Sequence, residues 1–197
     1  MQRDDGGRLH LSLTLFGPWS HALDHDLRWL TDRLPPEYPR RRTRIVHDVD
    51  GSWFSNVQTL LPPRGARTET IHLHVSALSG TLIHEGIETK LVALADVVIF
   101  VAPRSRLDFA IHYRKRLAEA DATPLHVFQL DDDEDAPAPL DDVRAALDVG
   151  NAPCIATTSR LGEGVGEVFR AATHLAFDAA TRGELAKRPL PAPIIPF

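Results

Sequence analysis

The residues Val97–Val101, VVIFV, are apolar without a break. A strand wetted on one face alternates apolar with polar side chains. An unbroken apolar run of this length suits a strand covered on both faces, the situation of a central strand in a parallel sheet with helices on either side. The flanking sequence supplies both kinds of partner. Leu9–Phe16 alternates Leu11, Leu13 and Leu15 with Ser12 and Thr14, a period-2 strand closed by Gly17-Pro18. From Ala22 to Leu34, the residues Leu23, Leu27, Leu30 and Leu34 form one helical stripe that stops at Pro35-Pro36.

The pattern continues along the chain. Glu37–Gly51 is charged and irregular, with the run Arg40-Arg41-Arg42. A short strand at Asn56–Leu61 and an alternating strand at Thr68–Val75 are expected to form an antiparallel hairpin. Helices are expected at Ile87–Leu94, Leu107–Ala120, Leu140–Leu147 and Gly164–Thr181. Strands are expected at Val97–Val101, Leu125–Leu130 and Pro153–Thr157. Asp141 and Asp142 open the third of these helices, where the helix dipole favours negative charge. The alternation predicts a three-layer α/β fold, with a mostly parallel six-stranded sheet and one antiparallel edge strand.

Composition narrows the function classes. The 197 residues are 43 % hydrophobic and 25 % charged, values of a globular chain and not of a disordered one. No apolar run approaches the ~18 residues of a membrane span. The net charge of -5 argues against a nucleic-acid binder held by phosphate contacts. The single Cys154 has no internal disulfide partner, and the polar start MQRDDGGRLH holds no signal-peptide core, so a cytoplasmic protein is expected. The expected organisation is a flexible stretch over 1–8, one domain over 9–181, and an extended Pro-rich tail over 182–197.

In an α/β sheet, ligands sit beyond the C-terminal ends of the strands. The segment Gly17–Asp24 after the first strand has the length and position of a P-loop, G-x-x-x-x-G-K-[ST]. VSALSG (Val75–Gly80) falls where a Ras-superfamily GTPase carries D-x-x-G. LDDD (Leu130–Asp133) falls where N-K-x-D lies, and Thr157–Arg160 where the S-A-K loop precedes the last helix. The chain resembles the bacterial gliding-motility small GTPases, the MglA family. The resemblance rests on LTLFGP (Leu13–Pro18), QTLLPP (Gln58–Pro63) and LVALADVVIFVA (Leu91–Ala102), and it covers roughly Leu9 to Thr181. It implies a small-GTPase-like fold of P-loop NTPase type.

The residues that would do the chemistry have changed. A P-loop cradles phosphates with its backbone N–H groups, its Lys and its Ser/Thr. Here Ala22 stands at the second Gly position after Gly17, Leu23 at the Lys and Asp24 at the Ser/Thr. A carboxylate ~5 Å from a phosphate charge costs on the order of 3 kcal/mol at an effective dielectric near 20. Asp24 and Asp26 are read either as caps that replace phosphate at the helix N-terminus or as ordinary first-turn acids. Ala77 replaces the Asp of D-x-x-G before Gly80, and Thr81 stands where the family has a water-positioning Gln. The base-reading Asn and Lys fall on Leu130 and Asp131, and Asp133 is left at the guanine-reading position or in a solvated acidic loop. Ser159 and Arg160 belong to the last loop.

Together these changes indicate a pseudo-GTPase: a non-catalytic, protein-binding regulator without cofactor, metal or enzyme activity. The resemblance implies a role in bacterial cell polarity or gliding motility, with a roadblock-type protein or another small GTPase as partner. The candidate partner surface comprises Trp53 and Phe54 in the segment matching switch I, and Leu78, Leu82 and Ile83 in that matching switch II. These residues form a surface patch or fold inward to fill the empty pocket. The alternative is a divergent GTPase or nucleotide-binding protein that holds GTP or GDP with Mg²⁺, contacting nucleotide through Asp24, Ser20 or Asp133. A flavodoxin-like binding domain is a third reading, opposed by the hairpin.

Other constellations are weaker. His72 and His74 share one face of a strand and would need a third ligand such as His84 or Asp48 to hold a metal. The plainer reading is two polar residues on the wet side of an edge hairpin. Cys154 reads as a small core residue, and Arg40-Arg41-Arg42 with Arg44 as a solvated loop or a contact for acidic partners or nucleic acid.

Overall fold

The structure is a computed structural model that describes residues 2–3, 9–17, 21–33, 40–46, 53–61, 71–79, 92–119, 125–132 and 139–182. The elements in chain order are β1 (Gln2–Arg3), β2 (Leu9–Gly17), α1 (His21–Arg33), β3 (Arg40–Val46), β4 (Trp53–Leu61), β5 (Ile71–Ser79) and β6 (Val97–Pro103). There follow α2 (Leu107–Glu119), β7 (Leu125–Asp131), α3 (Leu140–Ala146), β8 (Cys154–Thr157), a 3₁₀ turn (Ser159–Leu161) and α4 (Val165–Arg182). Residues 92–94 are helical, the end of the helix expected at Ile87–Leu94. The rest of that segment lies outside the described residues.

One sheet runs in the order β3-β4-β5-β2-β6-β7-β8. Its core is five parallel strands: β5, β2, β6, β7 and β8. β4 joins β5 antiparallel, β3 joins β4 antiparallel, and β1 pairs the start of β2. The expected six strands with one antiparallel edge strand are corrected by this topology. The parallel core has five strands, and the antiparallel part is the pair β3–β4 beyond it, together with the short β1. β3 escapes a hydropathy reading because four of its seven residues are arginine. Its ladder, from Arg40↔Thr59 to Val46↔Trp53, is formed by main-chain groups.

Helices cover both faces, as the apolar run requires. On one face α1 (Leu23, Leu27, Leu30) and α4 (Val165, Val168, Phe169, Ala172, Ala176) pack against Leu11, Leu13, Leu15, Val75, Val97, Ile99, Val101 and Val127. On the other, α2 (Ala110, Tyr113, Leu117) and α3 (Val143) pack against Phe16, Val98, Phe100, Phe128 and Leu130. All seven residues of β6 are buried, and successive ones enter opposite layers. Its start is pinned to β2: the Asp96 N–H donates to the Ser12 carbonyl at 2.8 Å, and the Ser12 N–H donates to Asp96 Oδ2 at 2.8 Å. No described helix is long and apolar enough to cross a membrane.

Candidate functional site

The C-terminal ends of the parallel strands bring together Gly17 of β2, Pro103 of β6, Asp131 of β7 and Thr157 of β8, with the 3₁₀ turn beside them. Gly17 has a packing reason to be glycine: a Cβ there would collide with the Val101 carbonyl oxygen. Helix α1 already begins at His21, so only residues 18–20 separate it from β2. Ala22, Leu23 and Asp24, at the second Gly, Lys and Ser/Thr positions, are therefore helical. Leu23 is fully buried in the core under α1. β5 runs on to Ser79, so Ala77, at the Asp position of D-x-x-G, is a strand residue buried in the same core.

A buried polar chain lies next to this edge. Asp131 Oδ1 accepts three hydrogen bonds: from Thr157 Oγ1 at 2.7 Å, Ser159 N–H at 2.8 Å and Ser159 Oγ at 2.6 Å. Gln129 Nε2 donates to Ser159 Oγ at 2.8 Å and to Asp26 Oδ2 at 2.7 Å. The five residues have between 0 % and 4 % of their surface exposed. Among the described residues, Asp26 Oδ1, Gln129 Oε1 and Asp131 Oδ2 have no hydrogen-bond partner. Burial pushes the Asp26 carboxyl from 3.8 up to about 7. Hydrogen bonds from Ser159 and Gln129 oppose that rise, and the Asp131 charge adds to it.

This chain revises the reading of several residues. Asp26 does not cap α1: it is the sixth residue of the helix and reaches β7. Leu130 faces the apolar layer between the sheet and α2, whereas Asp131 faces the polar cluster. Ser159 belongs to the cluster and Arg160 is exposed. Phe54 and Leu78 become register partners on β4 and β5, while Trp53 pairs with Val46 of β3, so these are strand positions and not loop positions. Gly80, Thr81, Leu82, Ile83 and Asp133 lie outside the described residues, as do His84, Asp48 and Ser20.

Gln129 is not singled out by the sequence analysis, and Asp26 only as a cap or first-turn acid, although each carries a signal of burial. Asp26 sits at i+3 from Leu23 and at i−4 from Leu30, inside the apolar stripe, where a charge is out of place. Gln129 interrupts the apolar run of β7, between Phe128 and Leu130.

α1 is also held by Trp29. Its ring stacks on Phe169 with centroids 6.2 Å apart and planes 5° off parallel. It fills the space beside Gly162 and Gly166, so side chains at those two glycines would meet the indole. Gly162 and Gly164 both have φ 74°, a left-handed conformation that glycine adopts without strain at this turn.

The histidines lie elsewhere. His72 and His74 are half-buried on β5, inside the sheet between β4 and β2. His10 of β2 stacks on both, with centroids 4.7 Å and 5.3 Å apart, and its Nδ1 is 3.0 Å from His74 Nε2. Burial first, and then the neighbouring His10 and His72, push His74 down to about 4. Among the described residues, no group of three or more His, Cys, Asp or Glu has a metal-holding arrangement. Cys154 packs against the core under α2 and α3, and burial raises its thiol pKa, the state of an unreactive thiol.

No family model matches the chain, and no curated protein matches it.

Proposed function

We propose that this chain is a non-catalytic, protein-binding pseudo-GTPase resembling the MglA family, acting as a regulator in a bacterial polarity or motility system. The observation that carries this reading is Leu23. At the position where a P-loop needs a lysine, the side chain is apolar, helical and fully buried in the core. A nucleoside triphosphate at this edge would find the apolar, buried Leu23 where a P-loop supplies its cation. It would lie beside a buried acidic cluster that already holds Asp26 and Asp131.

Two further features support the reading. The antiparallel pairing of β4 with β5 is the hairpin expected at Asn56–Leu61 and Thr68–Val75, and a fully parallel flavodoxin-like sheet has no place for it. The register Phe54↔Leu78 joins the segments matching the two switches within one ladder. A partner of roadblock type, or another small GTPase, would then meet a face fixed by main-chain pairing, with no γ-phosphate to toggle it.

The test is titration of fluorescent GTP and GDP analogues, with and without Mg²⁺, alongside chromatography of any nucleotide released on denaturation. No binding up to roughly millimolar, a ΔG° no better than about -4 kcal/mol, is expected. Micromolar, Mg²⁺-sensitive binding would overturn the reading.

A further inference from the structure

Among the described residues, the buried chain at the sheet edge has more acceptors than donors and no cation. Its hydrogens come from the Gln129 amide, the Ser159 and Thr157 hydroxyls and the Ser159 N–H. Two carboxyls and an amide oxygen compete for them, and three acceptors go unpaired. Two fully buried carboxylates without a compensating charge are expensive, and the least costly remedy is to protonate one of them.

The bonding pattern picks out which one. Asp131 Oδ1 accepts from three donors, and the Asp131 charge acts on Asp26. Asp26 accepts at Oδ2 from the Gln129 amide, which can turn end for end, and has the Ser159 hydroxyl as its other hydrogen-bonding neighbour. When Asp26 is ionised, the Gln129 amide donates to it and to Ser159, and Ser159 donates to Asp131. When Asp26 carries a proton, its O–H becomes the donor. The Gln129 amide turns its oxygen toward Asp26 and Ser159. The Ser159 hydroxyl then gives its hydrogen to that oxygen and releases Asp131 Oδ1, which keeps Thr157 Oγ1 and the Ser159 N–H. The proton comes from solvent and neutralises one charge, and apart from the new O–H no covalent bond is made or broken.

We propose that Asp26, Gln129, Ser159 and Asp131 form a proton-operated latch, in which uptake of one proton at Asp26 reverses the hydrogen bonds through Gln129 and Ser159 and changes how Asp131 is held at the C-terminal edge of the sheet. Each link joins a different element: α1, β7, and the turn leading to α4. The surroundings of Asp26 leave the task to these residues. On this face β2, β5 and β6 present apolar side chains such as Leu15, Ala77 and Val101, and α4 presents Val165. Asp131 is the charged group acting on Asp26 from β7. On the turn Arg160 and Glu163 are exposed, on α4 so are Glu167 and Arg170, and on α1 Arg28 is exposed and His25 half-buried. The latch does not depend on the pseudo-GTPase reading and would stand if nucleotide were found to bind.

The test is infrared spectroscopy of protein carrying ¹³C-carboxyl aspartate, between pH 5 and 9, together with NMR of the Gln129 side-chain amide and the Thr157 and Ser159 backbone N–H groups. One buried carboxyl should lose its proton with a midpoint near 7. The Gln129 and Ser159 signals should move with the same midpoint. Asp26→Asn should abolish both changes. Ser159→Ala should leave the carboxyl titrating while the Thr157 signal stops following it. If no carboxyl titrates in this range, the latch is refuted. If one titrates while Gln129 stays fixed, or if Ser159→Ala leaves Thr157 still responding, the relay is refuted. Should Asp26→Asn fail to fold, the wild-type spectra and Ser159→Ala decide the matter.

Discussion

Among the described residues, a buried polar cluster and a half-buried one lie at opposite ends of the strands and on opposite faces of the sheet. Asp26, Gln129, Asp131, Thr157 and Ser159 gather at the C-terminal ends of β7 and β8, under α1 and α4. His10, His72 and His74 gather near the N-terminal ends of β2 and β5, on the other face. In both, burial drives a titratable side chain toward its neutral form. For an acid that means a raised pKa, about 7 for Asp26; for a base it means a lowered one, about 4 for His74. The same desolvation therefore acts on stability with opposite signs. Asp26 binds its proton more tightly folded than unfolded, so its contribution is full below 3.8 and is lost as pH rises to about 7. His74 binds its proton less tightly folded, so its contribution is full above 6.5 and is lost as pH falls to about 4. His126 on β7, lowered to about 4 by burial and then by Arg114, adds to the second arm.

The comparison is broken most severely at Asp131. Asp131→Ala should destabilise the protein by about 3–5 kcal/mol in urea unfolding, because Thr157 Oγ1, Ser159 Oγ and the Ser159 N–H lose their acceptor together. In the same variant the Asp26 midpoint should move down, because the Asp131 charge helps to raise it. Asp26→Asn should sharpen the contrast. It removes a contribution on the order of 4 kcal/mol that wild type loses between 3.8 and about 7. Thermal unfolding of the variant should then rise with pH over that interval, with only the histidine arm acting; an unchanged pH slope would contradict the assignment. The smallest effect is expected from His74→Asn, about 1 kcal/mol at pH 5 after allowance for the partial exposure of the ring. Its unfolding midpoint should fall less than that of wild type on acidification.

How much of this was readable in the sequence depends on whether side chains or main chain set the structure. VVIFV named a central strand because burial on two faces leaves a mark in hydropathy. α1 was legible from Leu23, Leu27 and Leu30 for the same reason. β3 was not, because RRRTRIV joins the sheet through its backbone pairing with β4, and main-chain pairing has no hydropathy signature. The strand count failed with it. At the site, Asp131 and Ser159 were flagged through the small-GTPase resemblance, and the structure joins them by two hydrogen bonds. Asp26 was noticed as a first-turn acid, but its partner Gln129 is 103 residues away along the chain. No local pattern links the two. The His10 contact to His74, 64 residues apart, was hidden in the same way.

The arginine-rich β3 also bears on how copies of this chain meet. Among the described residues the strand order ends at β3, and a terminal strand offers its outer row of main-chain groups as a template for another strand. A second β3 is a poor match for that template. Parallel and in register, it would stack arginine on arginine at Arg40, Arg41, Arg42 and Arg44. Antiparallel about Thr43, it would set Arg42 opposite Arg44 twice, at a Cα separation of about 4.5–5.5 Å. Like charges directly opposite across a ladder repel. The edge thus carries a built-in deterrent to fibrillar self-addition, written in four guanidinium groups.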